Sequence, residues 1–387
     1  MNELVDKSVL LIGNYSVDKQ FSMLQYQSML STGLRNQEVE ADCISPEPKF
    51  GAIIKQNKWV GYVDKLLLFP IKLRMEMVKR HSLDASPHIV HVCDHSNSLY
   101  LRYLKEVLTV TTCHDLIAIR MAGGEFIGEN VSNTGLVLQR IIKTNLKFST
   151  AFVCDSESTK SDLERIIPSS IGKTNVVYPG LYAKFRENPD LYIKKKLEKY
   201  GLCNEDLFVL HVGNSAWYKN RRGVVEVFAE YVTHYDDDEL KLVLVGDELS
   251  DENQRFLSDT GLEQRVVTVG AVQHEELCAL YSCAQLLLFP SRYEGFGWPP
   301  VEAQACGCPV VCSYEGSLKE VVRDSALTAP WNDVSGHVQN LRKVLVDPRV
   351  REDLIQKGHK NISRFTTDNM INGICEIYKT VISSNYS

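Results

Sequence analysis

Two glutamates, Glu294 and Glu302, stand eight positions apart in the stretch LLLFPSRYEGFGWPPVEAQACGCPVV. The apolar run QLLLFP (285–290) reads as a buried strand that ends at Phe289-Pro290. The loop SRYEGFGW follows, and Pro299 or Pro300 opens a helix, since proline is favoured at the first helical position. In an open α/β sheet such a loop lies outside the carboxyl end of a strand, where ligands bind. Gly295 and Gly297 leave the backbone bare, so a ligand can approach its N–H groups closely. The helix N-terminus beyond them favours an anion such as a diphosphate. Glu294 in the loop and Glu302 in the first helical turns are then expected to face one crevice. Taken alone, Glu302 reads rather as an acid complementing the helix dipole. The Gly-Phe-Gly loop, the prolines and the small-residue helix AQACGCP are what weigh against that plainer reading.

The elements that position these residues repeat twice. VLLIG (9–13), HIVHV (88–92), TVTTC (109–113) and AFVCD (151–155) read as strands of one sheet. Amphipathic stretches separate them, such as the one from Gly135 to Phe148. Strands alternating with helices indicate parallel β-α-β units. The first half closes at NVVYPGL (175–181), where Pro179-Gly180 signals a turn. After the charged stretch LYIKKKLEKYGL the pattern restarts with LFVLHVG (207–213) and continues through KLVLVG (241–246), RVVTVG (265–270), QLLLFP and PVVCS (309–313). The expectation is an α/β chain of two doubly wound, Rossmann-like parallel-sheet domains, residues 1–180 and 205–366, joined through 181–204.

Composition bounds the rest. A chain of 387 residues suits two domains of about 150–200 residues each. A net charge of −6 does not suit a protein that coats nucleic acid. No window reaches the roughly 18–20 apolar residues that a membrane-spanning helix needs. The start, MNELVDKSVLLIGNY, has neither the basic end nor the apolar length of a secretory signal, so the chain is expected in the cytoplasm. Its eleven cysteines then read as small buried thiols, with close packing the reason for Cys306 and Cys308. Charge is uneven: residues 1–180 carry 20 Lys plus Arg against 19 Asp plus Glu. Residues 49–80 alone carry eight bases and two acids, interleaved with Trp59, Tyr62, Leu66, Leu67, Leu68 and Phe69. That mixture fits contact with an anionic membrane surface and equally a core helix with a solvated basic face.

The segment from Glu294 through Val311 resembles the retaining glycosyltransferases of family 4, which share the GT-B fold. Their signature is Glu-x7-Glu with a Gly-Phe-Gly loop after the first Glu and a helix ending in A-x-G-x-P-V-V. The resemblance is strong over most of 205–345 and looser in the first half. It implies two Rossmann-like domains facing a cleft, with the last helix, about 367–387, crossing back to the first. It also implies a nucleoside-diphosphate sugar as donor, a hydroxyl of a glycan or lipid-linked acceptor, and retention at the anomeric carbon. The function expected is hexosyl transfer in cell-surface polysaccharide synthesis, from the cytoplasm or the inner face of the membrane. The same scaffold also carries sugar-nucleotide 2-epimerases and disaccharide phosphorylases, and a non-catalytic nucleotide-sugar-binding protein is the remaining alternative.

Carried over residue by residue, the resemblance makes Glu294, Lys219 and His114 catalytic. In LHVGNSAWYKNRRG (210–223), Gly213 and Asn214 lie against the donor, and Lys219 with Asn220 grips the diphosphate. Tyr218 stands where an arginine is usual, and Arg221 or Arg222 is left to replace it. Glu294 and the backbone of Gly295, Phe296 and Gly297 bind sugar hydroxyls. Glu302 holds the ribose, Asp247 in VLVGDE (243–248) borders the base, and the backbone at Ser317 and Leu318 reaches the phosphates. His114, at a strand end in TTCHDL (111–116), contacts the donor sugar, and His95 or Asp94 lines the acceptor side. His91 and His95 have metal-pair spacing, which converges only on a helix, and His91 sits in an expected strand. Asp236, Asp237 and Asp238 read as a solvated turn between a helix and a strand. No cofactor and no essential metal is expected, because lysine and helix dipoles can neutralise a diphosphate. The first βα turn departs from the family: only Gly13 is present, followed by Asn14-Tyr15-Ser16, and no G-x-G-x-x-G fingerprint exists there.

Overall fold

The computed structural model describes residues 4, 7–18, 20–50, 58–126, 128–129, 131–185, 197–203 and 205–385; side chains of 58–60 and 385 lie outside that description. Residues 191–196, the first half of the charged stretch 191–202, therefore fall outside the described residues. The chain divides into two compact units, Met1–Tyr182 with Thr367–Ser387, and Ala183–Thr366.

The first unit holds β1 (Ser8–Ile12), β2 (Glu40–Ile44), β3 (Ile89–Val92), β4 (Thr109–Cys113), β5 (Ala151–Cys154) and β6 (Thr174–Val176). Every pairing is parallel, in the order β2-β1-β3-β4-β5-β6. β3, β4 and β5 are buried at every position, which explains their unbroken apolar or small-residue runs. β2 reads EADCI and was not expected: as an edge strand it buries only Ala41, so it needs no apolar run. The last helix, Thr367–Asn385, packs into this unit. Its Tyr378 hydroxyl meets His91 Nδ1 at 2.6 Å, and Ile371 lies so near Gly33 that a Cβ there would come within 2.3 Å.

The second unit holds β7 (Phe208–Val212), β8 (Lys241–Val245), β9 (Val266–Val269), β10 (Leu286–Phe289), β11 (Val310–Cys312) and β12 (Leu327–Thr328). All are parallel, in the order β9-β8-β7-β10-β11-β12. This is the Rossmann order, whose switch point lies between the first and fourth strands, here β7 and β10. The core joins Val209, Leu242, Leu244, Leu286 and Leu288 to Val225, Phe228 and Val232 of the helix Arg221–His234 and to Leu341 and Val344 of Val334–Val346. No disulfide joins any of the eleven cysteines, most of which are buried. No helix among the described residues is long and apolar enough to cross a membrane.

Candidate functional site

At the switch point of the second sheet the loops after β7 and β10 are joined by three successive residues. Tyr218 O accepts from Arg292 N at 2.7 Å, and Asn220 Nδ2 donates to Pro290 O at 2.8 Å. Between them Lys219 Nζ donates to both carboxylate oxygens of Glu294, each at 2.9 Å. The pair is largely withdrawn from water, with 14% and 7% of the two side chains exposed. Gly213 lies over the Lys219 stem, where a Cβ would come 3.5 Å from its Cδ. Gly246, at φ 127°, crosses the Gly213 carbonyl so closely that a Cβ would sit 2.1 Å from that oxygen.

Asn220 takes a left-handed backbone conformation, φ 54°, and caps the helix Arg221–His234 by accepting from Gly223 N. Its amide also donates to Trp331 O at 3.1 Å, so this expected donor contact is engaged within the protein. Of the two following arginines, Arg222 pairs with Glu226 one turn along its own helix. Arg221 is the buried one and donates to Asp247 O at the end of β8. Its Nε and one terminal nitrogen have no protein partner among the described residues. Asn214 accepts from Ala216 N, and the Asp247 carboxylate accepts from Ser215 N and Oγ at 2.8 Å each. Those two bonds from Ser215 lower the Asp247 pKa.

The Gly-Phe-Gly loop is anchored from beneath. Phe296 is buried against Phe365, edge to face at 5.3 Å. Gly297, at φ 92°, precedes the helix Trp298–Ala305, which has proline in its first turn. A Cβ on Gly297 would lie 2.6 Å from Leu318 Cδ2, and Leu318 is fully buried. The Ser317 amide donates to Glu294 O at 3.1 Å, and its hydroxyl lies within bonding distance of the Glu294 and Phe296 carbonyls. Glu302, buried in that helix, accepts from Tyr281 at 2.9 Å. The two glutamates therefore have different partners. Tyr281 carried no sequence signal, because it lies in an ordinary helical stretch.

His114 belongs to the first unit, at the end of β4. Its Nδ1 meets Asp155 Oδ2 at 2.7 Å and its Nε2 meets the Cys93 carbonyl at 2.9 Å. A carbonyl and a carboxylate both accept, so both ring nitrogens donate and the ring is an imidazolium. Burial alone would lower its pKa, but Asp155 and then Asp94 raise it to about 9. Neither nitrogen is left for a sugar hydroxyl in this arrangement. Asp155 was missed, although an acid closing the strand AFVCD was a visible signal. His91 is bonded by Tyr378 and by Thr112 Oγ1 at 2.7 Å, and burial pushes its pKa down to about 3. Asp94 accepts from Asn14 and Ser96, and Asn14 also bonds Gln20 and Asn97. His95 lies beside Asp94 at 3.3 Å. The acids Asp236–Asp238 form a turn before β8, at the opposite end of the sheet from the glycine loops, where Asp237 accepts from Leu240 N. Among the described residues no group of three or more His, Cys, Asp or Glu is placed to hold a metal ion.

Two parallel Rossmann-like units define the fold class, and it is GT-B. A sucrose-phosphate synthase from Thermosynechococcus elongatus aligns with a TM-score of 0.75 at 21% identity, over 98% of this chain and 100% of that one. Anabaena HepE, solved with UDP and glucose, aligns with a TM-score of 0.72 at 16% identity, over 97% and 100%. Residues 193–361 match the family described as glycosyl transferases group 1. The Escherichia coli O-antigen chain mannosyltransferase B is 32% identical over 185 residues, 47% of this chain and 48% of the relative. A D-inositol 3-phosphate glycosyltransferase of Acidothermus cellulolyticus is 26% identical over 294 residues, 71% and 62%. The chain thus spans about half of the first relative and less than two thirds of the second.

Proposed function

We propose that the protein transfers a glycosyl group from a nucleoside-diphosphate sugar to an acceptor hydroxyl, with retention, at the carboxyl ends of β7 and β10. The observation that carries this is the buried Lys219–Glu294 pair, held across the switch point by the flanking Tyr218–Arg292 and Asn220–Pro290 bonds. A preorganised cation beside bare glycine backbone and a helix N-terminus suits a departing diphosphate. On donor binding, Lys219 turns toward the phosphates, and Glu294 with the Gly295–Gly297 backbone takes the sugar hydroxyls. The acceptor oxygen bonds to the anomeric carbon on the face the diphosphate leaves. The bond from that carbon to the phosphate oxygen breaks, and that oxygen receives the acceptor's proton. No side-chain nucleophile and no metal enters the scheme. Glu302 and Asp247 border the nucleoside, and Ser317 with Leu318 presents backbone to the phosphates. His114 is assigned a positioning role at the end of β4, because both its nitrogens are bonded within its own unit.

The acceptor is a glycan or lipid-linked hydroxyl in cell-surface polysaccharide synthesis, reached from the cytoplasmic face. The first unit supports a membrane contact through 49–80: Leu67, Ile71, Met75 and Val78 project into solvent among bases, while Phe69 and Leu73 face the core. Donors ranked by thermal shift, followed by nucleotide release with and without acceptor and NMR of the product's anomeric configuration, test the proposal. An inverted product would overturn retention. Epimer formed from donor alone, or sugar phosphate formed with orthophosphate, would replace transfer with the corresponding scaffold-sharing reaction.

A further inference from the structure

The first unit carries a second concave site, remote from the carboxyl-end loops of its own sheet. A cavity of about 800 Å³ is lined by Arg74, His81, His88, Arg102, Tyr103 and Lys105. His88 precedes β3 and accepts from Ser8 N at the start of β1 at 3.2 Å, so the cavity opens at the amino ends of the strands. Ligands of open α/β sheets bind at the other edge, and the donor chemistry gives this cavity no task. Arg74 and Arg102 both rest on the Tyr103 ring, at 5.8 and 5.5 Å. Lys105 rests on the Phe148 ring at 5.3 Å, and Lys147 approaches the same ring at 5.2 Å. These cations are thus set against aromatic rings rather than carboxylates, and among the lining residues Glu106 is the acid.

The crossovers from β2 to β3, β3 to β4 and β4 to β5 all step the same way across the sheet. Right-handed connections then place the helices Phe69–Ser82 and Asn133–Leu146 on one face. Both show apolar residues to water. Leu67, Ile71, Met75 and Val78 follow a helical stripe and are 60%, 58%, 67% and 70% exposed. Val78 also lines the cavity. On the helix Asn133–Leu146 Val137 and Ile141 are exposed, and the run from Asn133 through Phe148 holds Arg140, Lys143 and Lys147 but no acid. A soluble acidic partner would satisfy the bases and leave two apolar rows in water. An anionic bilayer satisfies both, with apolar tips below the headgroups and bases at the phosphates.

We propose that this cavity seats the phosphate headgroup of an anionic phospholipid while the two apolar rows enter the bilayer. The inference rests on the membrane contact suggested above and extends it from residues 49–80 to Arg102, Lys105 and the helix Asn133–Leu146. Sedimentation with vesicles of phosphatidylcholine, alone or mixed with phosphatidylglycerol, tests it on the full chain. Each base at such a surface is worth about a fivefold change in partitioning. Arg74→Ser, Arg102→Ser and Lys105→Ser together are expected to weaken binding to anionic vesicles on the order of a hundredfold. All three side chains are exposed, so the thermal unfolding profile is expected to stay unchanged. The control removes the same charge elsewhere, by Lys173→Ser, Lys343→Ser and Arg349→Ser, and is expected to keep native binding. Equal loss in both triple variants would overturn the pocket and leave general electrostatic attraction. Capture of soluble glycerol 3-phosphate without vesicle binding would overturn the lipid as the source of the phosphate. A native chain that does not prefer anionic vesicles would overturn the membrane contact as well.

Discussion

The Lys219–Glu294 pair can be dissected by a double-mutant cycle with Lys219→Met and Glu294→Gln. Lys219→Met leaves a carboxylate that is 93% withdrawn from water without its cation. Breaking a buried pair from one side costs about 3–5 kcal/mol. Glu294→Gln keeps one oxygen acceptor for Lys219 and loses one of two charge-assisted bonds, about 1.5–3 kcal/mol. The double variant removes both charges and is expected to recover part of the Lys219→Met loss. Trp217, Trp298 and Trp331 all lie in the second unit, so tryptophan fluorescence during urea unfolding reports mainly on it. Turnover is the second readout: Glu294→Gln is expected to fold and to lose about 100-fold in rate, roughly 2.7 kcal/mol at the transition state. Additive stabilities across the cycle would refute the coupling read from the 2.9 Å contacts. Near-native turnover of Glu294→Gln would remove Glu294 from the reacting site.

Further outcomes follow from other contacts. Activity is expected to survive EDTA, and full loss restored by magnesium or manganese would refute the metal-free scheme. His114 has a folded pKa raised to about 9 from an ordinary 6.5, so its contribution to stability is complete below about 6.5 and disappears as pH rises through about 9. Asp155→Asn is expected to flatten that alkaline decline in a pH series of thermal unfolding; an unchanged slope would place the titration elsewhere. Gly246→Ala sets a Cβ against the Gly213 carbonyl at a left-handed φ, and is expected to cost about 1–3 kcal/mol of stability in the second unit and to weaken donor binding. Native unfolding and donor shift in that variant would show that the crossing is tolerant. Ile71→Ser with Met75→Ser is expected to reduce binding to anionic vesicles while leaving unfolding unchanged, since both side chains are exposed.

Most strands of both sheets were legible because each is an apolar or small-residue run closed by a glycine, a proline or a polar residue, as in VLLIG and QLLLFP. Burial on both faces of a parallel sheet writes such runs directly into the chain. Two edge strands escaped for the same reason: β2 buries a single residue, and β12 has only two residues. The glycine loop and helix start after β10 were equally local, since Gly297 and the prolines act through their own backbone angles. Contacts between distant residues had no local signature. Lys219 and Glu294 are 75 positions apart, His114 and Asp155 are 41 apart, and His91 and Tyr378 are 287 apart. The resemblance implied a diphosphate contact for Asn220 and a sugar contact for His114. Tertiary structure engages Asn220 in capping a helix and makes His114 an imidazolium bonded on both sides. The sequence by itself determined which loops stand at strand ends, because that depends on neighbours along the chain. Only folding decided which charges meet there, because sheet order and crossover direction bring them together.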